Sequence, residues 1–473
     1  MKLPEPYEIW QKVVVLLTGA TDFFERLPYR RRLHVAVRIV LGLVVLIVVG
    51  TVLLTLPGMS TGERLPLLDA FFIATSALTV TGLSVITVGV DLTPVGQWVL
   101  LFLIQVGGVG YMFLASITLL LIGRRISLVH RLTLSSSLGL DKPQEIVSIL
   151  RRTFIGIVAI ELGGAVAFYV HWELNGIVSE RTLFFAIFHS ISAFCNAGFD
   201  LFGGLAAYPE GIPSDNVSLV IMGSLIVLGG LGIPVLSEIL LGKRGRHYSV
   251  HTQITLRMAM ILTVVGWVGL YVSEGMGAGV LAEAPLGERL VRTWFQSISN
   301  RTAGFAGLPQ FEALSPASVL LIMVLMFIGC APASMGGGIT TGTLAVLMLA
   351  LRGYTQGVSY TKFGMRRIAV GTVRRAGVVL TVGLMVVVLA TWLLLLTQPS
   401  LKLSEAMFEV VSAFATCGLS LGVTTELNTF GRLVIVVMMF WGRLGALTLV
   451  TALMQSGPEE SLVQYAEEGI LIG

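Results

Sequence analysis

Four short segments, each ending in a glycine, recur along the chain at nearly equal intervals. Their glycines are separated by 116, 106 and 114 residues. Rings of backbone carbonyls can replace the water shell of a dehydrated cation, and glycine permits the tight backbone path that such a ring requires. The repetition therefore predicts one ion-binding filter made from the carbonyls of these segments, which we call the glycine loops. They are Thr79-Val80-Thr81-Gly82, Cys195-Asn196-Ala197-Gly198, Arg301-Thr302-Ala303-Gly304 and Ala415-Thr416-Cys417-Gly418.

A stretch rich in Ser, Ala and Phe precedes each glycine loop. At about ten residues it is too short to cross a bilayer and has the length of a re-entrant half-helix. The C-terminal end of such a helix carries a partial negative charge, which favours a cation at the loop that follows. One loop of this kind could be an ordinary turn, but four at equivalent places favour a pore. The predicted half-helices are Phe71–Leu78, Phe184–Phe194, Trp294–Asn300 and Phe408–Phe414.

The composition is that of a membrane protein. Hydrophobic residues make up 55% of the chain, charged residues 12%, and the mean hydropathy is +0.88, whereas a soluble domain carries about 25% charged residues. Apolar runs with at most one charge, long enough to span a bilayer, predict eight membrane helices, two per repeat. They are Ile39–Leu56, Val95–Ile122, Thr153–Val170, Ser218–Leu241, Met258–Ser273, Leu314–Leu351, Ala376–Ser400 and Leu433–Gly457.

These elements predict an all-α polytopic membrane protein with four repeats around a single pseudo-fourfold pore. Each repeat consists of a membrane helix, a pore loop and a second membrane helix, which gives eight spanning helices. The repeats are predicted at 33–122, 123–241, 242–351 and 352–457, between an N-terminal arm at 1–32 and a C-terminal tail at 458–473.

Basic residues are concentrated at the start of the chain and between the repeats. Of the 31 Lys and Arg residues, 23 lie in the stretches 1–38, 124–152, 243–257 and 352–375. The positive-inside rule places these stretches in the cytoplasm, and with them both termini of a multi-pass protein of the cell membrane. As short connections of a polytopic protein, they are poor candidates for binding nucleic acid.

The second membrane helix of the third repeat is interrupted at residues 329–343. Pro332 and three consecutive glycines are difficult to accommodate in a helix. The small polar residues Ser334, Thr340, Thr341 and Thr343 fall in this break, where a water-filled cavity would satisfy them. The interruption is either a passive kink or a mobile loop below the filter, and the second interpretation is favoured. The candidate gate, which we call the gate segment, is Ala333-Ser334-Met335-Gly336-Gly337-Gly338.

Arg443 lies ten residues into the last predicted membrane helix, where a charge is expensive and rare. Two roles are open. Its charge could stand below the filter and act as a barrier to cations, or it could pair with Glu161 or Glu238, the other charges within predicted spans. The role of Glu161 is otherwise open.

These features together resemble the membrane subunit of the Trk/Ktr/HKT superfamily of potassium transporters, and most of all the Ktr-type subunit. The resemblance runs from Arg30 to Gly473. Besides the glycine loops and the glycine-rich break, it rests on three motifs. They are Gln105-Val106-Gly107-Gly108-Val109-Gly110-Tyr111-Met112, His189-Ser190-Ile191-Ser192-Ala193-Phe194-Cys195-Asn196-Ala197-Gly198-Phe199 and Asn300-Arg301-Thr302-Ala303-Gly304-Phe305.

The resemblance implies uptake of K⁺ through the four loops, with a dependence on Na⁺ left open and no organic cofactor on this chain. It implies a homodimer with two separate pores and a cytoplasmic ring of RCK-type regulatory subunits that bind a nucleotide. Because no G-x-G-x-x-G motif follows a strand here, that regulator would be another polypeptide. The resemblance also implies that the Arg301 side chain packs behind the filter. It assigns the gate segment and Arg443 to the barrier, and the C-terminal tip to the dimer interface.

Two other classes of function are less well supported. A secondary transporter for another cation or a small substrate is the alternative, but inverted repeats would need two halves of opposite orientation, whereas the basic connections give all four repeats the same one. An intramembrane enzyme would need a nucleophile, a metal cluster or a carboxylate pair. The nearest candidates, His189 and Cys195, lie in a stretch already explained as a pore helix, and no acid partner is apparent.

Overall fold

The computed structural model describes residues 35–110, 113, 114, 116, 146–178, 181–205, 208, 211–241, 248–276, 279–358 and 360–445. The predicted N-terminal arm, the C-terminal tail, the end of the last predicted span and most of the basic connection at 124–152 lie outside these residues.

The described chain is largely helical, and one order of elements recurs four times. A helix is followed by a shorter one of 13 or 14 residues, a glycine loop and another helix. The first unit contains α1 (Val35–Leu54), α2 (Leu67–Thr79), the short α3 (Val88–Asp91) and α4 (Pro94–Val109). The second contains α5 (Ile146–Asn175), α6 (Thr182–Phe194), α7 (Asn216–Gly230) and α8 (Ile233–Leu241).

The third unit contains α9 (Val250–Glu274), α10 (Leu286–Ser299), a 3₁₀ turn at Phe311–Ala313, α11 (Pro316–Phe327) and α12 (Thr341–Thr355). A small antiparallel hairpin of β1 (Lys362–Phe363) and β2 (Arg366–Arg367) leads into the fourth unit. That unit contains α13 (Val370–Thr397), α14 (Leu403–Ala415), a 3₁₀ turn at Thr424–Glu426 and α15 (Thr429–Leu444).

Three described helices are long and apolar enough to cross a membrane, namely Val147–Asn175 within α5, α9 and α13. A fourth span results if α7 and α8, which meet at 102°, are counted as one. The eight membrane helices that the sequence predicts therefore remain a prediction.

The helix that follows each glycine loop begins at a side-chain cap. The acceptors are the side chains of Thr93, Asp215, Ser315 and Asn428, each bonded to a backbone N–H three residues ahead. Proline occupies the first position of α4 and α11, where its fixed φ matches that of a helix. These caps fix where the chain turns from the loop back into a helix.

The short helices α2, α6, α10 and α14 connect neighbouring units. Each packs on the later helix of the preceding unit: α6 on α4, α10 on α7, α14 on α11, and α2 on α15. The contact between α2 and α15 is reinforced by an ion pair of 2.5 Å between Arg432 and Asp69. It joins the fourth unit to the first, so the contacts between units form a closed cycle. The packed helices share an apolar core, to which every short helix contributes fully buried phenylalanine: Phe72 from α2, Phe188 and Phe194 from α6, Phe295 from α10, and Phe408 and Phe414 from α14.

All four short helices start earlier than the sequence predicted. The difference is largest for α10, which begins at Leu286 rather than Trp294. Its first turns carry Glu288 and Arg292, which form an ion pair of 2.8 Å one turn apart. Because these turns carry charges, a search for apolar runs did not include them. A helix with one polar face nevertheless accommodates charged residues.

A glycine with positive φ follows the end of each helix after a glycine loop, one or two residues beyond its last residue. These glycines are Gly110 (φ +88°), Gly232 (+85°), Gly329 (+51°) and Gly445 (+77°). The predicted span Ser218–Leu241 was wrong as a continuous helix, because α7 ends at Gly230 and the chain turns sharply into α8. The interruption predicted in the third unit is present, since no helix is found between Phe327 and Thr341.

Candidate ion pathway

The four glycine loops meet each other in a closed cycle. A Cβ atom built on each glycine would lie closer than 3.0 Å to the carbonyl oxygen that precedes the glycine of the next unit. Real side chains do not tolerate this separation, so the loops can approach only because these positions lack a side chain. The pairs are Gly82 with Ala197, Gly198 with Ala303, Gly304 with Cys417, and Gly418 with Thr81.

The backbone of the loops follows the same unusual path in every unit. The four glycines have φ of +92°, +68°, +80° and +95°. The residue two positions earlier is also left-handed, although it is never glycine: Val80 (+57°), Asn196 (+56°), Thr302 (+67°) and Thr416 (+50°). These are four of the seven described non-glycine residues with positive φ, and each such residue costs of order 1–3 kcal/mol. Strain is therefore concentrated in these loops and must be held by their surroundings.

Serine hydroxyls near the ends of the short helices supply part of that support. The N–H groups of Gly82 and Gly418 donate to Ser76 Oγ and Ser412 Oγ, both at 3.1 Å. In the other two units the serine is the donor, from Ser192 Oγ to Phe199 O at 2.7 Å and from Ser299 Oγ to Phe305 O at 2.6 Å. Sequence reasoning missed these residues, although a serine five or six positions before each glycine is a readable signal.

The first residue of each glycine loop has different surroundings in different units. Thr79 and Ala415 are the last residues of α2 and α14, and the Thr79 hydroxyl lies 2.8 Å from that of Thr81. The Arg301 carbonyl accepts from Cys330 Sγ at 2.9 Å. The guanidinium of Arg301 donates to Ala259 O on α9 at 3.2 Å, so the charge is directed to that helix.

The gate segment lies directly against the third and fourth glycine loops. The N–H of Gly337 donates to Thr416 Oγ1 at 2.9 Å. Gly336 has no room for a side chain because of the neighbouring Thr302. On its other side the segment reaches the bend of the second unit, where the Ile233 N–H donates to Ala333 O at 3.0 Å.

Arg443 joins the gate segment to the first unit. Its guanidinium donates to Met335 O, to Gly107 O and, at 3.1 Å, to Gly108 O. Neither predicted acid partner contacts it. Glu161 accepts from the Gln105 amide at 3.1 Å, and Glu238 accepts from Ser249 Oγ at 2.8 Å. The described contacts of Arg443 are thus backbone carbonyls, and the proposed ion pair is not formed.

Arg443 occupies a position that is glycine in two other units. Three of the helices that follow the loops end in a pattern of four residues: Gly107-Gly108-Val109-Gly110, Gly229-Gly230-Leu231-Gly232 and Gly442-Arg443-Leu444-Gly445. In each, the first glycine allows contact with the end of the short helix, at Leu78 O, Phe194 O or Phe414 O. A cavity of about 330 Å³ lies at this level, and its lining includes Gly108, Ser334, Gly337 and Arg443.

Glu161 and His189 have supporting roles behind the second loop. Both carboxylate oxygens of Glu161 accept from Gln105, whose own oxygen lies 3.5 Å from Cys195 Sγ. His189 Nε2 accepts from the Leu201 N–H at 3.3 Å, beyond the glycine loop. Within the described ranges, no group of three His, Cys, Asp or Glu residues could hold a metal ion. These contacts favour a structural role for the residues considered for enzymatic chemistry.

The sequence profile of the TrkH family, described as cation transport proteins, matches residues 27–465. The chain belongs to this family. It is 33% identical to the potassium/sodium uptake protein NtpJ of Enterococcus hirae, over 94% of this chain and 98% of that protein. It is also 32% identical to the Ktr system potassium uptake protein B of Bacillus subtilis, over 92% of this chain and 95% of the relative. A further Ktr system potassium uptake protein B, from Vibrio alginolyticus, is 34% identical over 90% and 92% of the two chains.

The fold agrees with that of a solved family member. The crystal structure of the potassium transporter TrkH from Vibrio parahaemolyticus superposes with a TM-score of 0.72, covering 93% of this chain and 90% of that one. The identity is 20%, so this match supports the fold. Membership of a family of cation transport proteins, together with helices long and apolar enough to cross a membrane, makes the chain a membrane transport protein.

Proposed function

We propose that the chain is a K⁺ uptake pathway in which the four glycine loops form one selectivity filter. The observation that carries the proposal is the cycle of contacts from Gly82 through Gly198 and Gly304 to Gly418 and back. A cation at its centre would face carbonyl oxygens from all four units, which is the arrangement that replaces a hydration shell. The names of the relatives as potassium uptake proteins support K⁺ as the substrate.

Two further features support a cation at this place. The glycine loops follow the C-terminal ends of α2, α6, α10 and α14, and helix C-termini carry partial negative charge. In addition, the one charged side chain of the loops, Arg301, is directed to Ala259 O behind them. With a single glycine per unit the filter is short, and we expect it to discriminate less strictly against Na⁺ than a longer filter would.

The gate in this proposal consists of the gate segment and Arg443. The segment is bonded to the fourth loop through Gly337 and Thr416, directly below the proposed filter. Arg443 holds Met335 of the segment and Gly107 of the first unit together. Opening would require the segment to leave the cavity, and a fixed positive charge beside the exit of the filter would slow cations that pass it.

The proposal includes partners that are absent from the described chain. A cytoplasmic ring of RCK-type subunits that bind a nucleotide would move the gate, and the transporter would be a homodimer in the cytoplasmic membrane. Support comes from the resemblance and from the basic connections, which the positive-inside rule places on the side of such a ring.

The test is ion flux in proteoliposomes that contain the purified full-length chain. An imposed K⁺ gradient should drive uptake, and an equal Na⁺ gradient should drive less. Because one relative is named a potassium/sodium uptake protein, coupled transport of the two cations is the second candidate. Coupling predicts that external Na⁺ accelerates K⁺ entry, whereas a simple pathway predicts competition between the ions. A well-folded protein that admits neither ion, with or without its partner subunit, would contradict the proposal.

A further inference from the structure

A basic cavity lies where α9 and α12 meet the hairpin of β1 and β2. Its volume is about 270 Å³, and its lining includes Arg257 from α9, Arg352 from the last turn of α12 and Lys362 from β1. Two aromatic residues, Tyr360 and Phe363, complete the wall on the hairpin side. Three cationic side chains from three separate elements thus converge on one space, whose lining includes no residue of the glycine loops.

These charges have no acidic partner among the described residues. No Asp or Glu occurs between Glu238 and Glu274, nor anywhere between Glu312 and Glu405, so neither segment that lines the cavity carries one. None of the described ion pairs involves the three basic residues. Like charges placed close together repel each other, and an anion in the cavity would offset that repulsion.

Each of the two aromatic residues contacts a guanidinium, that of Arg257 in the cavity wall and that of Arg367 beside it. The Arg257 guanidinium lies over the Phe363 ring, 5.1 Å from its centroid, and that of Arg367 lies 5.6 Å from the centroid of Tyr360. Such cation–π contacts fix a guanidinium without neutralising its charge. The donors of Arg257 therefore stay available to a ligand in the cavity.

Apolar side chains are exposed beside the cavity. Met365 at the tip of the hairpin is fully exposed, and Tyr354 and Leu351 are 84% and 65% exposed. Exposed apolar and aromatic residues beside basic ones are typical of the boundary between headgroups and acyl chains. A free anion would use only the basic groups, whereas a lipid would use both features.

We propose that this cavity binds the phosphate of an anionic phospholipid, with the acyl chains against the exposed apolar residues next to it. The proposal goes beyond the transport function and shares with it only the orientation of the basic connections toward the cytoplasm. Basic pockets between membrane helices on that side are suited to phospholipid headgroups.

The test measures binding of short-chain phosphatidylglycerol to the purified full-length protein by native mass spectrometry, with short-chain phosphatidylcholine as the neutral probe. Phosphatidylglycerol should bind more tightly. Arg257→Gln, Arg352→Gln and Lys362→Gln should each weaken it about fivefold, the factor that about 1 kcal/mol per basic residue corresponds to. The triple variant should lose the preference altogether.

The matched control carries Arg366→Gln, Arg374→Gln and Arg375→Gln, three basic residues of the same connection that do not line the cavity. It should keep the preference. Equal losses in both triple variants would overturn the proposal in favour of a diffuse surface attraction. Displacement of the lipid by millimolar inorganic phosphate would overturn it in favour of a free-anion site. Lys362→Gln alone, on the exposed hairpin, keeps the test decisive if the triple variant does not fold. Because the readout is lipid binding, its outcome is independent of whether the protein conducts K⁺.

Discussion

The glycine loops are nearly alike in the four units, whereas the helix ends below them are not. We call the glycine loops the upper layer and the ends of the helices that follow them, with the gate segment, the lower layer. In the upper layer every unit has a positive-φ glycine and a left-handed residue two positions earlier. In the lower layer the equivalent positions hold Gly108 in the first unit, Gly230 in the second and Arg443 in the fourth, while the third unit has the gate segment.

In the proposed function, the two layers would have separate tasks. A ring of carbonyls around a cation works best when all four units contribute equally, and backbone geometry can provide this although the side chains differ. A gate needs something that can block a shared space, and one inserted segment with one arginine is sufficient for that. The comparison predicts that changes in the upper layer alter which ion passes, and changes in the lower layer alter how fast ions pass.

The largest effect is expected from a side chain in the upper layer. Gly304→Ala would place a Cβ against Cys417 O and would have to hold φ near +80°. Strain of about 1–3 kcal/mol per residue should reduce the preference for K⁺ over Na⁺ about tenfold or abolish uptake. Flux of both ions into proteoliposomes is the measurement.

Gly163→Ala is the matched control, because a Cβ at this position in α5 has nothing within 4 Å. It should behave as the parent protein does. Alanine variants of Gly82, Gly198, Gly304 and Gly418 that all keep parental flux and selectivity would remove the glycine loops from the pathway.

Deletion of residues 333–338 should have the next largest effect. It removes the hydrogen bond from Gly337 to Thr416 and the contact of Met335 with Arg443, which empties the space below the glycine loops. The variant should leak cations without its partner subunit while its K⁺ preference stays. A deletion protein that is monodisperse and conducts no more than the parent would show that this segment is not the gate.

Variants of Arg443 distinguish the effect of its charge from the effect of its hydrogen bonds to Met335 and Gly107. Arg443→Gly gives the fourth unit the residue of the first and second, and Arg443→Gln keeps a polar side chain. Two unit charges about 6 Å apart interact by about 3 kcal/mol at an effective dielectric near 20, so both variants should raise flux by up to about a hundredfold.

Arg443→Lys retains the charge but cannot reach several carbonyls as a planar guanidinium does. If the charge is the barrier, flux in the lysine variant stays low. If the bridge between Met335 and Gly107 is what matters, flux rises as in the glutamine variant. Unchanged flux per folded molecule in well-folded Arg443→Gln would exclude both roles.

The smallest effect is expected from Thr416→Val, which should leave the carbonyls of the upper layer in place and removes only the hydroxyl that accepts from Gly337 of the gate segment. Valine is compatible with the left-handed backbone there, because Val80 has the same conformation at the equivalent place. A net hydrogen bond contributes about 1 kcal/mol, so flux should rise about fivefold at unchanged selectivity. Thr381→Val, which removes an exposed hydroxyl on α13, should change neither quantity. Altered selectivity in Thr416→Val would place this contact in the filter instead.

Much of the arrangement could be predicted from the sequence because its signals are local. The spacing of the four glycines located the loops, and a proline with three consecutive glycines located the break between α11 and α12. Both signals depend on residue types whose backbone preferences differ strongly from the rest.

The remaining features have no such local signal. A single glycine inside an apolar run reads as a tolerated helix residue, so the stops at Gly110, Gly232 and Gly445 were not predicted. Nothing in the identity of Val80 or Thr416 indicates a left-handed backbone, which the surroundings impose. The partners of Arg443 are main-chain carbonyls, which every residue carries, and a search for acidic side chains therefore gave the wrong candidates.

The most direct test of the central claim is the position of a bound cation. Crystals of the protein grown in Rb⁺, a heavier substitute for K⁺, would show the ion by anomalous X-ray scattering. We predict a peak at the centre of the four loops, among the carbonyl oxygens of Thr81, Ala197, Ala303 and Cys417. Rubidium bound elsewhere in the protein, with no peak inside this ring, would contradict the account.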